Sequence, residues 1–297
     1  MKSLSAWSLT LLLISTAEAQ RPSVPTTIYA IGYDGSLKWY RHNAALTGGG
    51  LNDAGAWDPR GGKEIGVGWN GLTRVFTSSG GISYGVSPNG DLRWYQHNAY
   101  LTGGGLNDAG AWNPRSGAVV GVGWNSFKQL FATSDGVIYA IKPNGSLLWY
   151  KHNAYRTGAG LETPGAWDPR GGKEVGVGWN SFTKVFAAPG GIIYGVMPNG
   201  DLRWYKHSGY LTGGGLNDAG AWNPRSGAVV GVGWNDFRQL FAAANGVIYG
   251  IKPNGSLLWY KHSAYRTGAG LETPGAWDSR GSKEIGVGWD FERVFGF

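Results

Sequence analysis

Apolar and polar positions alternate over residues 182–187 (Phe-Thr-Lys-Val-Phe-Ala), the period of a strand with one buried face. A second β-branched and aromatic run covers 191–196 (Gly-Ile-Ile-Tyr-Gly-Val), followed by Pro198-Asn199-Gly200-Asp201. Asn-Gly between two such runs predicts a hairpin whose two central turn residues both take positive φ. The third strand is then 202–207 (Leu-Arg-Trp-Tyr-Lys-His). A Gly-rich stretch without alternation fills 208–227, and 228–234 (Ala-Val-Val-Gly-Val-Gly-Trp) closes the pattern as a fourth strand. Nowhere do apolar residues recur at the 3.6 period over three turns, which argues against helical repeats.

This four-strand pattern is written five times. Trp39, Trp94, Trp149, Trp204 and Trp259 stand 55 residues apart, each followed by Tyr, and two further tryptophan series and all five histidines keep the same step. Four short antiparallel strands per unit, repeated, is the blade pattern of a β-propeller; the rungs of a β-solenoid are far shorter. The repeat opens at residues 28–31 (Ile-Tyr-Ala-Ile), equivalent to a second strand, and ends at 291–295 (Phe-Glu-Arg-Val-Phe), equivalent to a first. A ring resolves both half-units: the C-terminal strand completes the N-terminal blade and leaves no open edge. The expected fold is an all-β, five-bladed β-propeller over 28–297, with four antiparallel strands per blade. Units two and four, and units three and five, share local spellings, which points to duplication of a two-blade block.

Residues 1–19 read as an export signal. Lys2 supplies the positive start, 9–14 (Leu-Thr-Leu-Leu-Leu-Ile) the apolar stretch, and Ala17-Glu18-Ala19 the small-x-small ending. A Pro/Thr-rich spacer, 20–27, precedes the repeat. The expected protein is therefore secreted, with no later segment apolar enough to enter a membrane. It has no cysteine, so packing must stabilise it. Its net charge of +7 comes without any Lys/Arg cluster longer than two residues, so the electrostatic footprint of a nucleic-acid binder is missing. The 53 glycines agree with a fold full of tight turns.

The chemistry sits in the Gly-rich loop, since a loop this long recurring inside compact blades is unusual without a use. Its copies offer Asn52, Asp53, Trp57 and Arg60; Asn107, Asp108, Trp112 and Arg115; Glu162, Thr163, Trp167 and Arg170; Asn217, Asp218, Trp222 and Arg225; and Glu272, Thr273, Trp277 and Arg280. Sugars suit such a set: an aromatic face covers the C–H side of the ring while amide, carboxylate and guanidinium groups take the hydroxyls. The competing reading is that each Trp pins its loop to the blade and each Arg caps carbonyls. Trp69, Trp124, Trp179, Trp234 and Trp289, at the end of the fourth strand, would wall a pocket or pack blades together. The in-register histidines have no carboxylate or second His at a ligand spacing, which makes them interblade packing groups and leaves no metal or cofactor site. Asn144 and Asn254 head glycosylation acceptor triplets that matter in a eukaryotic host. Catalysis would need differentiated residues around one substrate, whereas each polar position here recurs five times with few changes, units three and five swapping Asn-Asp for Glu-Thr, so binding without turnover is expected. Linked weak sites would gain avidity on a surface displaying many copies of a ligand, and a monomer suffices for that.

The run Ala56-Trp57-x-x-Arg60-x-x-Lys63-x-Ile65-Gly66-x-Gly68-Trp69, continued in the fourth copy by Phe182-x-x-Val185-Phe186, resembles the tachylectin-type lectins across all five units. That resemblance implies a five-bladed propeller with one N-acetylhexosamine site per blade, near the loop ending in the second Trp and the strand after it. The units here are longer, and Ala56 stands where that family has a polar Asn, which leaves Asn52 and Asp53, or Glu162 and Thr163, to supply the polar contacts. Residues 138–149 are also similar to the quinoprotein-type propeller repeat, which would imply a protein-binding scaffold or a quinone enzyme with more blades than five units give.

Overall fold

The computed structural model describes residues 25–297; the export signal expected over 1–19 and most of the spacer lie outside the described residues. Twenty strands follow in order: β1 (Thr26–Ile31), β2 (Leu37–His42), β3 (Lys63–Gly66), β4 (Arg74–Thr77), β5 (Ile82–Val86), β6 (Leu92–Gln96), β7 (Ala118–Gly121), β8 (Gln129–Ala132), β9 (Val137–Ile141), β10 (Leu147–Lys151), β11 (Lys173–Gly176), β12 (Lys184–Ala188), β13 (Ile192–Val196), β14 (Leu202–Lys206), β15 (Ala228–Gly231), β16 (Gln239–Ala242), β17 (Val247–Ile251), β18 (Leu257–Lys261), β19 (Lys283–Gly286) and β20 (Arg293–Gly296). They form five four-stranded sheets, four of them consecutive in sequence and the fifth ordered β20-β1-β2-β3. The expected closure is present: Ile28 pairs with Gly296 and Ile31 with Arg293, so the chain ends are zipped into one blade. Every sheet is antiparallel, and successive first strands β4, β8, β12, β16 and β20 meet around the axis.

The second strand of each blade is buried on both faces, in keeping with its mainly apolar spelling, while the third alternates in three blades and buries Leu148 and Leu258 as well in the other two. Of each Trp-Tyr pair, the Trp is fully buried and the Tyr half-buried against the Trp of the neighbouring blade, as in Tyr40 on Trp289, with ring centroids 4.6 Å apart. Opposite faces of one strand thus serve two successive layers of core.

The hairpins differ from expectation in one respect. Gly90 has φ 92° while Asn89 is absent from the residues at positive φ. Gly90 N donates to Ser87 O (2.9 Å) and Ser87 N to Asp91 O (3.0 Å), which is a type I turn followed by a left-handed glycine. Pro88 suits this turn, because its ring fixes a negative φ at the first central position, but the same turn forms over Gly32–Ser36, where Tyr33 stands in its place. The fourth strands are also shorter than their apolar spelling: β15 stops at Gly231, and Trp234 begins a single 3₁₀ turn with Gly233 in left-handed conformation at φ 75°.

An axial cavity of about 390 Å³ runs between the first strands, with Phe76, Phe131, Phe186, Phe241 and Phe295 in its wall. It is mainly apolar and unique to the axis, so it matches neither the chemistry nor the fivefold repetition of the loops.

Candidate functional site

The long loops cross to the neighbouring blade. His42 Nε2 lies 2.8 Å from Gly49 O, and its Nδ1 lies 2.8 Å from the Tyr249 hydroxyl of the preceding blade. A carbonyl can only accept, so Nε2 carries the proton and the tyrosine O–H donates to Nδ1. The same Tyr-to-His bond recurs for Tyr29–His97, Tyr84–His152, Tyr139–His207 and Tyr194–His262. Burial pushes His42, His97 and His207 down to about 4, with Lys283, Lys63 and Lys173 adding to the depression; His152 and His262 are lowered by burial without a lysine. The histidines are interblade packing groups, and no cluster of potential metal ligands occurs among the described residues.

Trp57 stacks on His42, with centroids 4.6 Å apart and planes at 23°, and its indole N–H donates to Ile285 O of the preceding blade at 3.0 Å. Trp112, Trp167, Trp222 and Trp277 do the same to Ile65, Val120, Val175 and Val230. One face and the only polar atom of each ring are therefore committed to the blade interface, and the ring stays half-buried. Trp69, Trp124, Trp179, Trp234 and Trp289 are buried in the core clusters, with Trp69 against Tyr95 at 4.6 Å and Trp112 at 6.0 Å. The loop glycines have a packing reason. Gly103 sits on the Trp39 indole at φ 69°, and a Cβ there would lie 2.6 Å from the ring; Arg60 lies over the same indole, 5.7 Å from its centroid.

The exposed polar groups meet across the interfaces. Lys63 Nζ donates to Asp108 Oδ2 of the next blade (2.8 Å), Lys173 to Asp218 (2.9 Å) and Lys283 to Asp53 (2.8 Å). Asp108 Oδ2 also accepts from Gly105 N at 2.8 Å, as Asp53 and Asp218 do from their own loops. These bonds and the ammonium hold all three carboxyls below the usual carboxylate range. Blades two and four carry Ala118 and Ala228 at the lysine position. There Arg115 and Arg225 reach across instead, 3.6 Å from Glu162 and Glu272. The residue two before each Arg sets how much of the guanidinium is held back, although Arg170 Nη1 also crosses to Thr212 O at 2.9 Å. Asp58, Asp168 and Asp278 grip Arg60, Arg170 and Arg280 within their own loops at 2.6 Å, whereas Asn113 and Asn223 leave the guanidinium free to cross. Thr163 and Thr273 donate weakly to their neighbouring glutamates, and Asn52, Asn107 and Asn217 lie exposed on the loop surface.

At the first interface these groups line an open cleft of about 440 Å³, with Arg60 and Lys63 facing Asn98, Thr102 and Asp108 above a floor of small residues. The structure thus brings Arg60 together with Asp108 of the next loop, not with Asp53 of its own, and sets the indoles of Trp57 and Trp69 into the blade packing beneath. Lys63, Lys173 and Lys283 are the functional candidates that the loop-by-loop reading leaves out. Their signal is in the sequence: each Lys precedes an Asp by 45 positions around the ring, and each Ala precedes a Glu by 44.

A closed ring of five four-stranded blades, with a polar cleft at the first interface and a charged pair across every interface, defines a five-bladed β-propeller. The chain matches the Tachylectin family model over residues 30–294 and belongs to that family. No curated protein matches it. Among solved structures, a symmetrical protein from work on de novo evolutionary emergence under folding constraints is 21% identical over 91% of this chain and 97% of its own, with a TM-score of 0.54, a likeness of fold. A mutant of the Aleuria aurantia lectin in complex with α-methyl-L-fucoside is 17% identical, covering 88% of this chain and 81% of that one at a TM-score of 0.39. AofleA from Arthrobotrys oligospora is 13% identical, covering 80% and 65%, also at 0.39.

Proposed function

We propose that the protein is an exported, multivalent lectin that binds glycans of the N-acetylhexosamine type in its interblade clefts and performs no catalysis. The observation that carries this reading is the cleft at the first interface, where exposed Lys63, Arg60 and Asp108 stand over small residues, with a cross-blade ion pair at each of the other four interfaces, Lys–Asp at two and Arg–Glu at two. Hydroxyls both donate and accept, so a lysine beside a carboxylate complements a sugar. Membership of the Tachylectin family supports the ligand class. The fivefold repetition speaks against an active site, which needs differentiated roles, and favours avidity from linked weak sites. The test is a glycan array followed by calorimetric titration with the best sugar. Binding at several sites per chain is expected; a silent array, or a stoichiometry of one, would sink the proposal.

A further inference from the structure

Resting on that reading of the clefts, we infer that the ring carries two classes of site in the ratio three to two, and that Lys63, Lys173 and Lys283 define the tighter class. The interfaces formed by blades one and two, three and four, and five and one each hold a Lys–Asp pair. The other two hold an Arg–Glu pair and an alanine. These pairs are exposed, with Lys63 and Asp108 at 44% and 53% of full side-chain exposure. Exposed ion pairs contribute little to stability, so the alternation matters chiefly for what the clefts present to solvent.

The two kinds of cleft present different chemistry. In the Lys–Asp clefts one ammonium proton goes to Asp108 Oδ2, which also takes the Gly105 N–H, and this leaves two ammonium donors and the Oδ1 acceptor side by side. A free donor beside a free acceptor complements two adjacent hydroxyls of a neutral pyranose, one accepting from lysine and the other donating to aspartate. In the Ala clefts the ammonium is missing, and Arg115 spends Nη2 on Gly158 O and on Glu162. Glu162 in turn accepts from Gly160 N and the Thr163 hydroxyl. A sugar there keeps one charge-assisted partner fewer.

The experiment is calorimetric titration of the intact mature chain with the best neutral saccharide from the array, on the wild type and on the triple variant K63A/K173A/K283A. Wild type should show about three tight and two weaker sites, separated by about tenfold or more in Kd. The triple variant should retain its fold by circular dichroism and lose the tight class. As a second readout, the saccharide should protect these three lysines from reductive methylation, and they lie in peptides of different sequence. A single class of five sites, a triple variant that binds like wild type, or lysines left unprotected at saturation would overturn the inference while leaving the lectin reading intact. Absence of binding to any saccharide by the wild type would instead sink the lectin reading and this inference with it.

Discussion

Acid should weaken this protein well above the range where its carboxylates titrate, and the histidines give the size of the effect. His42, His97 and His207 sit at about 4 in the folded chain, against an ordinary value of 6.5. The folded state therefore binds fewer protons than the unfolded one between these values, so stability is complete above pH 7 and falls as the pH drops below 6.5 towards 4. At pH 5 each such histidine costs about 2 kcal/mol by this linkage, and three together about 6, comparable with the whole stability of many domains. The cause is local: protonating Nδ1 removes the acceptor of the Tyr249, Tyr29 or Tyr139 hydroxyl and places a cation in the blade packing near Lys283, Lys63 or Lys173. Asp58, Asp168 and Asp278, gripped by their arginines, lose their contribution only at lower pH, since their carboxyls are lowered from 3.8. Denaturant midpoints measured from pH 7.5 to 4.5 should fall steeply below 6.5, and histidine NMR signals should show His42, His97 and His207 neutral in the folded protein at pH 5. A midpoint unchanged between pH 7.5 and 5, or histidines titrating near 6.5 in the native state, would refute the argument.

Replacing Gly103 by Ala should destabilise the protein by about 2 kcal/mol or more, because the methyl meets the Trp39 ring at 2.6 Å and the backbone is left-handed; thermal melting checks this, and an unchanged melting temperature would contradict the packing role. Tyr29→Phe leaves His97 Nδ1 without its donor and should cost about 1–2 kcal/mol in urea titrations, with the fold retained by circular dichroism. Deleting 293–297 removes β20, exposes the edge of β1 and opens the ring; the truncated chain should aggregate in light-scattering assays where the intact one stays dispersed.

The ring was readable because its evidence is periodic. Tryptophans at a fixed step gave the number of blades, and the half-units at residues 28–31 and 291–295 foretold the pairing of Ile28 with Gly296. The dipeptide Asn-Gly alone does not fix the turn type: the hairpin at Gly32–Ser36, without Asn-Gly or Pro, makes the same type I turn followed by a left-handed glycine. The cleft was only half legible. Local reading groups Asp53 with Arg60, seven residues away, but the loop runs sideways and places Asp53 beside Lys283, 230 residues off. The reason the loop crosses is the glycine-on-indole contact, which a strand pattern cannot reveal because it joins residues of different blades at a distance set by closure.

The same geometry explains an irregularity in the first unit. A two-blade alternation cannot close an odd ring: if Lys-type and Ala-type blades simply alternated with matching loops, two units of one kind would meet at the seam. Unit one resolves this by mixing spellings. It carries Asn52-Asp53, the loop of units two and four, together with Asp58-Pro-Arg-Gly-Gly-Lys63, the spelling of unit three. Asp53 thereby receives Lys283 from the last blade while Lys63 reaches Asp108 of the next. Had unit one kept the Glu-Thr loop of units three and five, Lys283 would face a longer carboxylate and a threonine, a combination found at none of the five interfaces. Each of Lys63, Lys173 and Lys283 thus meets an aspartate, and the interfaces with alanine at that position carry a glutamate met by arginine, a match that a chain folded as an open array would have no reason to make between its first and last units.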